Sequence, residues 1–236
     1  MSTEPEYIEG NGFVAEIIRS HRKKTAQIKI EEGVVSVVAP KELSLDKIKI
    51  LLKNKKKWIK EKQCIHQEAQ PVSNKEFVSG EQFAYLGKHY KLKVITGPYK
   101  PVKLINGYLV TSTPNGSEEP HIIRNALIRW YKTKATKRLN DKVNRLSTTI
   151  GVKPSSVSLQ AFKSRWGSCT PSGELIFNWK IIMAPSSVCD YVVAHELCHL
   201  VHHDHSERFW KKLEQAMPDY QRQKERLRDI AHRLDI

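Results

Sequence analysis

Histidine and glutamate recur at metal-site spacing in the run His195-Glu196-Leu197-Cys198-His199, with His205 following. Two histidines four residues apart sit about 40° apart around a helix and one turn apart along it, so both imidazoles can reach one ion. Glu196 adjoins the first of them, where its carboxylate meets a metal-activated water rather than the metal. His205 adds a third imidazole and leaves one tetrahedral position open, as a catalytic zinc requires. Such a site lowers the pKa of water toward neutrality, and Glu196 can take the proton as that water attacks a carbonyl. The chemistry expected of these residues is hydrolysis, with one Zn2+ held by His195, His199 and His205 and Glu196 as general base.

The third ligand has rivals in His202 and His203. On an unbroken helix His203 would lie about 12 Å along the axis from His195. Zinc–nitrogen bonds of about 2 Å cannot bridge that span. A chain reversal after His199 is needed, and His205 can use it, with Ser206 as a natural N-cap for a helix over 207–217. The spacing from His199 to His205 equals that of the metzincin pattern, but His202 stands where that pattern has its turn glycine. His205 is preferred, and His203 stays as the alternative. Cys198 lies off the line of His195 and His199 in helical phase and reads as a small buried thiol.

The elements that must hold these residues can be read from periodicity. Apolar positions Val188, Tyr191, Val192, Leu197 and Leu200 recur as on a helix, and Pro185, Ser186 and Ser187 form its start. Upstream, Ile123, Leu127, Tyr131, Ala135, Leu139, Val143 and Leu146 mark one face of a long helix beginning near Ser117. Residues 157–162 and 174–182 read as strands framing a turn at 170–173. Earlier still, 13–19, 25–31 and 34–39 read as short strands, with Glu32-Gly33 as a turn. A helix capped by Ser44 is expected to reach about Cys64, burying Ile48, Leu51, Leu52, Trp58 and Ile59. The stretch 67–75 is the expected linker, and 77–112 a second β-rich stretch with a hairpin turn at Asn106-Gly107. The expected division is 1–70 (β-strands plus a basic helix), 71–115 (second β-rich segment) and 116–236 (the domain carrying the motif).

Other runs carry a resemblance. Ser164-Arg165-Trp166-Gly167-Ser168-Cys169, Phe177-Asn178-Trp179, Met183-Ala184-Pro185 and Asp190-Tyr191-Val192-Val193-Ala194 lead into the motif. His205-Ser206, Phe209-Trp210 and Pro218-Asp219-Tyr220 follow it, and Tyr85-Leu86-Gly87 and Trp58-Ile59 lie upstream in order. The chain in this respect resembles the YgjP-like metallopeptidase family, related to SprT-like and WLM-type proteases. The resemblance implies an α+β fold. A small β-rich N-terminal region would precede a zincin-like domain of long helix, short antiparallel sheet, active-site helix and C-terminal helices. It also implies a protein or peptide substrate, and supports His195, His199 and His205 as ligands and Glu196 as base. An edge strand beside the active helix, either 173–179 or 165–169, would pair with an extended peptide. Arg165, Tyr191 and Tyr220 are candidates for steadying the oxyanion or contacting substrate. Trp166, Trp179, Phe209 and Trp210 read as core.

Charge supplies a second functional signal. The chain carries 40 Lys and Arg against 25 Asp and Glu, a formal net charge of +15. Basic residues gather over 19–24, 53–62 and 124–145, and such surfaces attract polyanions through counterion release. Arg124, Arg129, Lys132, Lys134, Lys137 and Arg138 on the long helix are the candidate contacts to non-specific nucleic acid. No helix-turn-helix, RNA-recognition or zinc-finger pattern accompanies them. The polar, acidic residues 1–10 do not read as a secretory signal, and no apolar run is long enough to span a bilayer. Cys64, Cys169, Cys189 and Cys198 lack ribbon spacing and read as reduced thiols, so a cytoplasmic setting is expected. Two readings follow. The first is a zinc metallopeptidase, acting on nucleic-acid-associated proteins. The alternative is a nucleic-acid-associated or complex-assembly protein with a vestigial or structural zinc site.

Overall fold

The computed structural model describes residues 6–10, 12–21, 25–68, 75–116, 119–162 and 164–236, with side chains at 64–68 excepted. The chain divides into two compact units, one of residues 1–81, 93–104 and 110–129, the other of 82–92, 105–109 and 130–236. This partition cuts the chain differently from the expected three segments.

In the first unit, strands β1 (Glu6–Gly10), β2 (Phe13–Ser20), β3 (Gln27–Glu31) and β4 (Val34–Pro40) form a sheet of order β1-β2-β4-β3. The central pair β2 and β4 is parallel, with Ala15 opposite Val35 and Ile17 opposite Val37. These four side chains are buried and, with Phe13, meet Ile48, Leu52 and Ile59 in one core. Ile48, Leu52 and Ile59 come from helices α1 (Leu45–Asn54) and α2 (Lys56–Glu68). The single helix expected here is broken at Lys55, whose N–H bonds to the Leu51 and Lys53 carbonyls. Trp58, expected inside, is 39% exposed. It lies about 100° around the helix from Ile59, which already occupies the buried face. Strand β1 was hidden from sequence reasoning by its polar residues, since it is an edge strand with only Ile8 fully buried.

A second sheet has the order β5-β6-β8-β7, from β5 (Gln82–Tyr85), β6 (Lys88–Thr96), β7 (Lys100–Ile105) and β8 (Tyr108–Thr113). Asn106 and Gly107 make the β7–β8 turn, both at positive φ (49° and 81°), as a tight hairpin of this kind requires. Helix α3 (Pro120–Ile150) is a single helix, and all seven residues of its predicted apolar stripe are buried. It starts at Pro120, and Ser117 lies outside the described residues, as does most of the expected linker.

In the second unit a three-stranded sheet of order β10-β11-β9 is built from β9 (Ser156–Gln160), β10 (Gly167–Cys169) and β11 (Glu174–Asn178). The sheet is mixed, not antiparallel, because β9 runs parallel to β11 while β10 runs antiparallel to it. The expected strand 174–182 ends at Asn178, and Trp179–Met183 coils into a 3-10 turn. Helices α4 (Ser186–Cys198), α5 (Glu207–Ala216) and α6 (Tyr220–Ile230) complete the chain. No helix among the described residues is long and apolar enough to cross a membrane.

Candidate active site

Helix α4 carries the motif, and its placement is fixed at both ends. At its start, the Leu86 and Gly87 N–H groups donate to the Ile182 and Met183 carbonyls at 2.9 and 3.2 Å. Gly87 sits at φ +77°, and a Cβ there would come within 2.9 Å of the Pro185 backbone. That glycine is what lets the β5–β6 turn press onto the residue that caps α4. Along its length, Val188, Cys189, Val193, Ala194, Leu197 and Cys198 are wholly buried. Asp190 receives both Lys142 Nζ at 2.8 Å and Arg145 Nη2 at 2.7 Å, tying α4 to α3.

After His199 the helix tightens. Leu200 and Val201 donate to the Leu197 and Cys198 carbonyls, one residue short of helical spacing, and the chain then turns back. That reversal brings His205 home. His195 Nε2 lies 3.2 Å from His199 Nε2 and 3.1 Å from His205 Nε2. One nitrogen from each ring lies within 4.8 Å of both others. His203 is exposed and lines the adjoining cavity without joining that group. Ser206 occupies the N-cap position of α5 but makes no side-chain capping bond.

The donor set fits a cation. His199 Nδ1 lies 3.0 Å from the His202 carbonyl, so Nδ1 carries the proton there and Nε2 presents a bare lone pair. Burial, followed by the neighbouring His199 and His205, pushes His195 down to about 3, and burial also lowers His199. Both rings are therefore neutral at physiological pH, the form that ligates metal. Three imidazole nitrogens converge on one point, an arrangement a metal ion fits. His195 Nδ1 is buried and has no partner among the described residues. Phe209, fully buried, packs 4.6 to 4.9 Å from all three rings, and Trp210 stacks on His205 at 5.5 Å.

Glu196 is 6% exposed and lines the same cavity, of about 570 Å³, as the three histidines. Burial raises its carboxyl to about 7, against the opposing pull of the Arg165 guanidinium. It rests on Gly167, where a Cβ would fall 2.6 Å from its Oε1 and Cγ. Gly167 heads β10, an edge strand, and Ser168 and Cys169 continue along the cavity wall. Of the two segments expected to form an edge, 165–169 contains an edge strand, whereas 173–179 contains the central one.

Sequence reasoning assigned no role to Gly167 or Asn178. Asn178 is 3% exposed and pins the preceding loop, donating from Nδ2 to the Phe162 and Arg165 carbonyls and from its N–H to Trp166. A glycine opening a short strand and a buried asparagine closing another were the available signals. Among the three candidates for substrate or oxyanion contact, Arg165 is exposed and lines the cavity. Tyr191 and Tyr220 are buried (6% and 8% exposed) and lie outside the cavity lining. Burial, then Glu196 and Tyr220, push the Tyr191 hydroxyl up to about 12. Trp179 and Phe209 are core, as expected, while Trp166 and Trp210 are half-buried.

The basic face of α3 differs from expectation. Arg129 is 7% exposed, with its guanidinium bonded to the Val14 and Val35 carbonyls, and is withdrawn from any surface. Lys142 is 9% exposed and committed to Asp190. Arg124 is half-buried on the Glu32 carbonyl, Lys134 lies 5.7 Å from the Trp130 ring centre, and the Tyr85 hydroxyl beside Arg138 raises its guanidinium. Lys137 is exposed and Lys132 half-buried. An amphipathic stripe locates a buried face but not the backbone acceptors that recruit cations at its margins.

Comparison with known proteins adds the family. A model of the YgjP-like metallopeptidase domain matches residues 24–230. The crystal structure of the metallopeptidase zymogen of Pyrococcus abyssi abylysin is 19% identical, with a TM-score of 0.36, covering 38% of this chain and 90% of that one. The zymogen of Methanocaldococcus jannaschii jannalysin is 20% identical, with a TM-score of 0.30, covering 32% and 78%. No curated protein sequence matches the chain.

Proposed function

The chain belongs to the YgjP-like metallopeptidase family, and from that premise we propose that it is a zinc-dependent endopeptidase with Glu196 as its general base. The supporting observation is the meeting of three imidazole nitrogens beside a buried carboxylate in one open cavity. His195, His199 and His205 would hold the ion. When bound, zinc supplies Lewis acidity to the scissile carbonyl and to water.

The chain's own residues account for the rest. Glu196, with a carboxyl near 7, accepts the proton of the attacking water and returns it to the leaving amine. Gly167 lets that carboxylate lie against the edge strand. An extended peptide pairing with the backbone of β10 would bring its carbonyl to the carboxylate with little side-chain selectivity. Arg165, on the same cavity wall, is placed to steady a substrate oxygen. Proteins carried on nucleic acid are the finer substrate reading, supported by the net charge of +15. The rival reading of a structural zinc fits less well, because structural sites close all four positions with protein ligands.

The test is cleavage of a casein-like substrate by the intact chain. Hydrolysis should stop with a chelator and return with added zinc. Undiminished cleavage in the chelator would contradict the proposal.

A further inference from the structure

One feature of the first unit lies outside this chemistry. Residues 53–62 hold six lysines against one glutamate. Lys53, Lys55, Lys57, Lys60 and Lys62 are all exposed, and among the described residues none of them has an ion-pair partner. Of the other two basic clusters, Arg22, Lys23 and Lys24 lie outside the described residues, and several of the remaining cations have partners. Arg19 is bonded to Glu6 and to the Pro40 and Leu43 carbonyls, and α3 anchors its cations as described above. Among the described residues of the first unit, the α1–α2 surface is where exposed, unpaired lysines concentrate.

Trp58 stands in the middle of it, 39% exposed. Lys62 lies one turn after it on α2, a spacing that places side chains on one face, and Lys55 stands at the helix break three residues before it. An indole flanked by ammonium groups that have no carboxylate partners matches a polyanion carrying planar rings. The apolar face of these helices is already spent on the core through Ile48, Leu52 and Ile59. Leu45 and Ile50 on α1 remain exposed (40% and 58%) beside the lysines, so a lipid surface is the competing ligand that the vesicle arm of the test separates.

We infer that the α1–α2 surface binds single-stranded nucleic acid, with Lys55, Lys57 and Lys62 on phosphates and Trp58 stacked on a base. The inference does not rest on the metallopeptidase reading, because it involves none of the residues of the metal site. Either DNA or RNA satisfies the chemistry.

The test is fluorescence anisotropy of the intact protein with labelled oligothymidylate and oligouridylate of about 20 nucleotides, titrated between about 50 and 200 mM salt. The wild type should bind at low salt and weaken steeply as salt rises. The combined Lys55→Gln, Lys57→Gln, Lys62→Gln variant should reduce the slope of log K against log salt by about 2. Trp58→Ala should weaken binding about ten-fold or more, and Trp58→Phe should restore most of it. Lys132→Gln with Lys137→Gln on α3, and Glu196→Gln, should bind as the wild type does. Absence of binding at low salt, or an unchanged slope in the triple variant, overturns the inference. So does equal, lysine-dependent binding to phosphatidylserine vesicles, which would make the ligand a membrane. Should Trp58→Ala fail to fold, the triple lysine variant decides the question alone.

Discussion

Glu196 is where the physical chemistry of this chain concentrates, and Gly167 is its unexpected partner. A methyl group at 167 would collide with the Glu196 carboxylate at 2.6 Å. Gly167→Ala should therefore keep its metal but lose about a hundred-fold in turnover, because displacement of a reacting group by about 1 Å costs that much. Metal analysis and a cleavage assay on the same sample check both halves. The raised carboxyl also makes a statement about stability in the metal-free chain. Glu196 titrates at 4.5 when unfolded and at about 7 when folded. Between those values only the folded state holds the proton, so its contribution to stability falls as pH rises from about 4.5 to 7. Above pH 7 the ionised group costs on the order of 3 kcal/mol. Metal-free Glu196→Gln should then match the wild type in urea near pH 4 and exceed it near pH 8. The clustering of His195, Glu196 and His199 on one cavity was legible in the sequence because spacing four on a helix leaves little freedom. His205 was reached by elimination of distances, while Gly167 was not, since a glycine reveals its purpose only through the atom that fills its space.

At the scale of elements, the site depends on α4 being held at a fixed depth beside β10. The Asp190 junction is the polar tie, and Lys142 is its costly member, with only 11% of its side chain exposed. Asp190→Ala leaves that ammonium with Ser186 alone, and should destabilise the chain by about 3 kcal/mol. Denaturant midpoints would measure this, and Lys142→Met in the same background should recover part of the loss. Periodicity made α3 and α4 readable, because each presents a buried stripe of seven or more residues. It failed where neighbours set the outcome. The break at Lys55, the parallel pairing of β9 with β11 and the 3-10 turn after Asn178 are decided by tertiary packing. The hairpin at Asn106-Gly107 was readable for the opposite reason, since its backbone angles are a local demand.

Across the whole molecule, the net charge of +15 says that cations are in excess but not where they lie exposed. Sequence favoured α3 because its lysines and arginines are many; folding gives several of them partners and leaves the α1–α2 lysines in water. Family membership over residues 24–230 supplies the reaction class, and the histidine triad is a group that could hold its metal. Metal should therefore stabilise the molecule as well as activate it. Free zinc at about a thousand times its dissociation constant should add roughly 4 kcal/mol to unfolding, a gain removed by chelator and absent from His205→Ala. The central claim, that the triad holds one ion on which Glu196 acts as base, is tested most directly by elemental analysis and peptide hydrolysis on one preparation of Glu196→Gln. The account predicts one zinc per chain, as in the wild type, with turnover lowered by a thousand-fold or more (about 4 kcal/mol). Wild-type turnover in that variant, with zinc in place, would contradict it.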